Sequence, residues 1–567
     1  MRPLVLSLLA VLAAAPLVAQ EKLVESIEVR VVNVDVVVTD RAGNPVTGLT
    51  KDDFEIFENG KPQTVTNIYE IRPDNSNAVA NIAGALEEKK EKEVAPPPPE
   101  EMRVRRVALF VDNSSLQVFD RTKVLKALDK FVDTNLRPND ELSLVTWNPG
   151  LKIVMPFTND RAKLKAALHA MSERANGGPS DIVSSQDNLK KECRDYISQA
   201  SERPPMLTWG QAWDYCKSAV NQYGDQMAFN AKNVLEGMRL TSTTLAGLDG
   251  KKVMIIAGAH LPERPGLDLM MWAMSEFQRY LPRLNPVQAM AETSHNTQAF
   301  SIEKFARQAN ADGVTVYVID AYDNRNASSA DIAGDMNEDP AAKNAAEFAA
   351  FTNTAAAYQT IARITGGVMM NSSNFDAAFT VINKDLGYYY SLGYKPSEES
   401  KNTKDRRIVV KAKNPEYRIR SRQSYTPKSA EDQINDRVVA NIYNSTVRSD
   451  WPIKIVTGDP QREGERFKIP VEISIAPTVT LLPQEGQLVG GFDVYIAVGT
   501  DGGAMSKVSK AAQPIKIPAD AESSLRSRPM TYAVPIVVRP GESTLSIAVV
   551  DQISGSSGFA RAKLVAR

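Results

Sequence analysis

A chain of 567 residues is long enough for three or four domains, each able to bury a core of its own. Its 43% hydrophobic and 24% charged residues are ordinary for a globular protein, which argues against a wholly disordered chain. A formal net charge of −1 leaves no basic excess to neutralise phosphates, so no nucleic-acid partner is expected.

The first twenty residues, MRPLVLSLLAVLAAAPLVAQ, carry one positive charge and then an apolar core from Leu4 to about Ala15. Leu17 and Ala19 suit signal-peptidase cleavage near Gln20, which predicts export to the periplasm or beyond; an N-terminal membrane anchor is the alternative. No cysteine follows the apolar core, against a lipoprotein, and no later run reaches the roughly 18 apolar residues that span a bilayer. The mature chain is therefore expected to have no transmembrane segment.

Residues 27–72 read as a small β domain. Val32, Val34, Val36 and Val38 recur with period two, and Asp53-Phe54-Glu55-Ile56-Phe57-Glu58 alternates into the hairpin signal Asn59-Gly60. Residues 73–102, with a charge run from Glu87 to Glu93 and the stretch Pro96-Pro97-Pro98-Pro99, read as a stiff, solvated linker.

From 103 to 395 strands and helices alternate, the pattern of a mostly parallel sheet covered on both faces. Strands are predicted at 107–111, 142–147, 252–257, 314–320 and 368–371, with 152–157 as an antiparallel edge. Helices are expected near 226–240, 267–281, 300–311, 354–365 and 375–386, besides those after the first two strands. Residues 176–225 form an insertion, read as a helical hairpin over 186–201 and 208–222 broken at Arg203-Pro204-Pro205. Cys193 and Cys216, the only cysteines, stand eleven residues before Pro204 and eleven after Pro205, opposite one another in such a hairpin. A disulfide is expected in an exported chain, with two free buried thiols as the alternative. Residues 387–426 return to β structure through Tyr388-Tyr389-Tyr390 and Tyr394, and 451–567 read as a β-sandwich of immunoglobulin or fibronectin type.

The segments VVNVDVVVTDRAGNPVTGLTKDDFEIFENGKPQTV and YYYSLGYKP, in this order of regions, resemble the von Willebrand factor A-related proteins of the acidobacterial type. The resemblance covers about 25–426 and implies a central α/β Rossmann-like von Willebrand A domain. It also implies a divalent cation, usually magnesium, held at the carboxyl ends of the strands to bind an acidic partner group. Asp112 and Ser114 match the first two positions of that family's Asp-x-Ser-x-Ser loop, but Leu116 replaces the last serine. The expected threonine falls near Gly177-Gly178-Pro179, and the expected aspartate aligns with Ala257-Gly258-Ala259. Three of five oxygen ligands are thus missing, although Asp320 and Asp323 end the next strand and could rebuild a site for magnesium. Otherwise no cofactor is expected.

Little favours catalysis. His169 reads as an exposed helix residue, and of the three histidines only His260, just past the fourth strand, stands on the rim; Ser114-Ser115 lacks a Gly-x-Ser-x-Gly frame. Trp209 and Trp213, four apart on the second hairpin helix, are candidate partner anchors or packing residues. The tyrosines of 388–394 are a candidate aromatic face or strand core. The expectation is an exported, non-enzymatic protein-interaction or adhesion module that binds a protein partner through Asp112, Ser114, Ser115, His260, Trp209 and Trp213. A magnesium-dependent adhesion module and an envelope enzyme, or enzyme subunit, are the alternatives.

Overall fold

A computed structural model describes residues 31–72, 104–173, 180–321, 340–371, 374–396, 405–444 and 447–567. The signal-peptide and linker expectations lie outside these residues, as do Gly177-Gly178-Pro179 and Asp323.

The alternating valines of β1 (Val32–Thr39) are buried on one face, and β2 (Phe54–Glu58) buries Phe54 and Ile56 in the same way. The short β3 (Lys61–Gln63) and β4 (Val65–Ile71) complete the N-terminal strands.

The chain then builds a six-stranded sheet from β5 (Arg105–Asp112), β6 (Glu141–Trp147), β7 (Leu151–Thr158), β8 (Lys251–Gly258), β9 (Val314–Asp320) and β10 (Met369–Asn371). The order is β10-β9-β8-β5-β6-β7, all parallel except β7, which runs antiparallel to β6. Every residue of β5 is buried, as a central parallel strand covered on both faces requires.

Helices α1 (Val118–Thr134) and α2 (Arg161–Glu173) cover one face. The insertion is α3 (Ser180–Ser201) and the long α4 (Trp209–Ala246), followed by α5 (Leu267–Gln278) and α6 (Pro286–Glu292). The C-terminal half of α4, with α7 (Ala299–Ala311) and α8 (Pro340–Thr365), covers the other face, and α9 (Phe375–Gly387) joins α1 and α2 on the first.

Two helices expected at 208–222 and 226–240 are one uninterrupted helix of 38 residues. Gly224 lies between the two expected ranges. A Cβ there would stand 2.7 Å from Asn296 Nδ2 and 3.1 Å from the Pro265 carbonyl, so this glycine serves close packing and breaks nothing. Likewise α8 starts well before the expected 354.

Cys193 and Cys216 are disulfide-bonded, with Cα atoms 4.9 Å apart, and join α3 to α4 across the hairpin. The bond sits in a separate core with Trp213, Met270, Trp272 and Phe277. Closing a loop with a sequence separation of 23 restricts the unfolded chain enough to contribute about 3 kcal/mol. The double variant Cys193→Ser/Cys216→Ser is expected to lose about that much, read by hydrogen exchange in α3.

Beyond the sheet, β11 (Tyr389–Tyr394), β12 (Arg406–Ala412), β13 (Arg418–Ser421) and β14 (Ser424–Tyr425) return to the N-terminal strands. One four-stranded sheet has the order β13-β1-β11-β4 and the other β14-β12-β2-β3. Val32 stands opposite Tyr394, and Ile56 opposite Val410. The regions 27–72 and 387–426, read separately in the sequence, therefore share both sheets and one apolar core. Tyr389, Tyr390 and Tyr394 are buried in this body. Tyr390 donates to the Val46 carbonyl (3.0 Å) and Tyr394 to Glu58 (2.7 Å), so the tyrosine run is internal and presents no aromatic binding face.

Helix α10 (Ala430–Tyr443), absent from the sequence expectation, is capped by Ser429 and buries Val438 and Ile442 against the C-terminal strands. Those strands form two antiparallel sheets around a common core that includes Phe467, Ile469, Val494, Ile547 and Val549. Among the described residues no helix is long and apolar enough to cross a membrane.

Candidate functional site

The loop after β5 is shaped by its own aspartate. Asp112 Oδ1 accepts hydrogen bonds from the Ser114 amide (3.0 Å) and the Ser114 hydroxyl (2.6 Å), closing an Asx turn. The Ser115 hydroxyl donates to the Asp112 carbonyl (3.3 Å) and accepts from the Ala259 amide (3.0 Å), which ties this loop to the end of β8. Asp112 is fully buried; its Oδ2 has no hydrogen-bond partner, and burial pushes its carboxyl above the usual carboxylate range against the bonds from Ser114 and Ser115.

Leu116 is 1% exposed and belongs to the apolar core together with Ala257, Ala259 and Ala321. Gly258 admits a different group. A Cβ on it would stand 2.6 Å from the Tyr358 hydroxyl, 3.4 Å from Ser115 Oγ and 3.5 Å from Asp112 Cβ. The Tyr358 phenol thus packs on the backbone of β8 beside Asp112. Its pKa is raised well above the ordinary value by burial first and then by Asp112 and Asp320.

Asp320 accepts from Asn371 Nδ2 at 3.0 Å. It pairs with Gly258 across the β8–β9 register, whereas Asp112 lies on the other side of β8. Two strand spacings separate the backbones of Asp112 and Asp320 by about 10 Å. Among the described residues no three His, Cys, Asp or Glu side chains come together to hold a metal ion. Leu116 and the Ala257-Gly258-Ala259 turn supply no side-chain oxygen to a divalent cation.

Above this loop lies a cleft of about 270 Å³. Ser114, Ser115 and His260 line it from the strand ends, and the insertion contributes Gln186, Tyr223 and Asn230. Gln186 Nε2 donates to Tyr223 Oη (3.0 Å) and to Asp268 Oδ2 (3.1 Å), linking α3, α4 and α5 at the cleft wall. Burial pushes the Asp268 carboxyl up and the His260 imidazole down to about 4, so the imidazole is neutral near pH 7. Trp147 packs on α4 where Gly237 stands; a Cβ on that glycine would lie 2.6 Å from its ring. Among the described residues no lysine or arginine lines the cleft, and Asp268 is its one acidic group.

Ser114, Ser115 and His260 therefore meet in one cleft, and Asp112 is buried behind its serines. The hairpin tryptophans are elsewhere. Trp209 stacks on Tyr280 with ring centroids 3.7 Å apart, and Trp213 is 8% exposed and packs edge-on against Phe277. They fasten the hairpin to α5 and the residues just after it, the packing alternative of their two readings. His169 is exposed on α2, and His295 lies 3.3 Å from Asp225 outside the cleft lining. The sequence reading missed Gln186, Tyr223, Asp268 and Tyr358, which no local motif marks.

No protein-family model matches this chain, and no curated protein matches it. Solved structures similar to it include an aerotolerance-related membrane protein from Bacteroides fragilis, at 12% identity and a TM-score of 0.23, covering 50% of this chain and 98% of that one. Another is BatB from Bacteroides thetaiotaomicron, at 12% identity and a TM-score of 0.23, covering 50% of this chain and 96% of that one. A third is proximal thread matrix protein 1 of the mussel byssus, determined with a zinc-occupied metal-ion-dependent adhesion motif, at 11% identity and a TM-score of 0.22. It covers 50% of this chain, which spans about half (47%) of its length. Superpositions this loose locate no residue and show no family; by its own geometry the central domain is a mixed α/β unit with the strand order β10-β9-β8-β5-β6-β7 and a single antiparallel edge.

Proposed function

We propose that this chain is an exported, non-enzymatic interaction protein that engages a protein partner directly, without a bridging cation, through the cleft at the rim of its central sheet. The observation that carries this reading is the position of Leu116 and Ala257. Both are buried in apolar core at places where a cation would require oxygen. The disulfide-tied hairpin supports it further by roofing the rim, so that a partner reaches the serines by inserting a side chain. Apolar surfaces of Trp147 and Val234 beside the Asp268 carboxylate suit a basic side chain with an aliphatic stem. Ser114 and Ser115 are engaged with Asp112 and the β8 end, which gives no support to a nucleophile.

Titration calorimetry of chelator-stripped protein with magnesium, then manganese, tests this reading. No saturable heat and no melting shift are expected for wild type or for Asp112→Ala. Saturable binding abolished by Asp112→Ala would return the chain to cation-dependent adhesion.

A further inference from the structure

The end of the sheet opposite the cleft holds a second cavity, of about 360 Å³, between the β domain and the starts of β8 and β9. Among the described residues three cationic side chains line it, Lys251, Lys252 and Arg422, together with two carboxylates, Asp35 and Asp249. Lys251 is neutralised in place, since its ammonium lies 2.6 Å from Asp35 Oδ2, with Thr315 Oγ1 at 3.3 Å and the Tyr389 ring centroid at 4.9 Å.

The other two are not neutralised. Lys252 Nζ donates to the Ala246 carbonyl at 3.0 Å. Arg422 donates through Nη2 to the Asn33 carbonyl (2.6 Å) and through Nη1 to the Asn310 carbonyl (3.3 Å), with the Tyr425 ring 5.7 Å away. Its Nε is buried and has no hydrogen-bond partner. Carbonyl oxygens satisfy donors but cancel no charge. Among the described residues no carboxylate lies within 4.0 Å of either side chain. Asp249, Asp312 and Asp436 act on Lys252 only from farther away, as Asp35 does on Arg422. Burial depresses both groups, Lys252 to about 8, the response of cations that lack a counter-ion. Two buried cations with no carboxylate in direct contact at one cavity favour an anion that joins them.

We propose that this cavity binds a small oxyanion, a carboxylate or phosphate group, between Lys252 and Arg422. Lys252 brings an ammonium with unused protons, and the Arg422 guanidinium adds a second positive charge. Gly313 keeps the wall open: a Cβ there would stand 3.3 Å from Lys252 Cε and 3.4 Å from Nζ. Because Asn33 and Arg422 belong to the β domain and Lys252 to the central sheet, the bound anion ties the two bodies together. This site is independent of the rim cleft.

Thermal melts of the full mature chain in phosphate, in malonate and in sodium chloride of matched ionic strength test the proposal. A saturable rise in melting temperature is expected with phosphate or malonate beyond that in chloride. A response to phosphate alone identifies a phosphate site, and a response to malonate alone or to both identifies a carboxylate-accepting one. Arg422→Gln and Lys252→Gln are each expected to weaken the apparent Kd at least tenfold; if the former does not fold, the latter decides. Lys252→Met is expected to raise the melting temperature of the anion-free protein while removing its anion response, which a merely structural lysine would not do. An equal response in all three salts, or an unchanged Kd in Lys252→Gln, overturns the site.

Discussion

Leu116→Ser, which restores the residue type of the adhesion-family loop, is expected to destabilise the central domain by about 3–5 kcal/mol and to confer no cation binding. Truncating a buried leucine of this kind costs about 2–5 kcal/mol through lost transfer energy and an unfilled cavity. The serine hydroxyl adds the penalty of a polar group placed among Val111, Ala257 and Ala259. Urea denaturation with and without magnesium measures both parts. A variant as stable as wild type would show that Leu116 does not fill this site with apolar packing, and one stabilised by magnesium would show that the remaining ligands lack only this one oxygen, which would defeat the expectation of no cation binding.

The second large effect is expected at the seam between the N-terminal strands and their distant partners. Glu58 on β2 accepts from Arg406 Nη1 at 2.8 Å and from Tyr394 Oη at 2.7 Å, and all three residues are buried. Glu58→Gln removes the Glu58 charge from the buried Arg406 guanidinium, and Arg406→Met removes the Arg406 charge from the buried Glu58 carboxylate. Each is expected to cost about 3–5 kcal/mol. Glu58→Leu/Arg406→Met removes both charges and is expected to cost far less than the two single changes together, because a buried pair gains little over well-packed apolar groups. Urea unfolding of the four proteins gives the coupling; strictly additive losses would show that the pair does not hold this seam.

The contrast between Leu116 and Trp213 shows how much of the candidate site can be read from residues in order. Leu116 is informative alone, because an alkyl side chain has no lone pair wherever the loop points. The aspartate and serines beside it are informative for the same reason, as their hydrogen-bonding capacity is intrinsic. Trp213 is not, since an indole on an amphipathic helix suits a core or an interface equally well, and only its contact with Phe277 decides. Gln186, Tyr223 and Asp268 were illegible because they come from α3, α4 and α5 and meet only when the hairpin folds onto the rim.

The features legible from residue order alone are those carried within short windows. Period-two valines, helical spacing and the symmetric cysteines foretold the strands of the central sheet, most of its helices and the Cys193–Cys216 bond. The features that emerge on folding depend on pairing across long separations. The strands of 31–72 close onto those of 389–425, Gly224 lies inside a continuous helix pressed against Pro265, and Tyr358 reaches Gly258 beside Asp112. Local propensity acts over a turn or a strand, whereas hydrogen bonding across sheets and the filling of space depend on residues hundreds of positions apart, which no window of sequence contains.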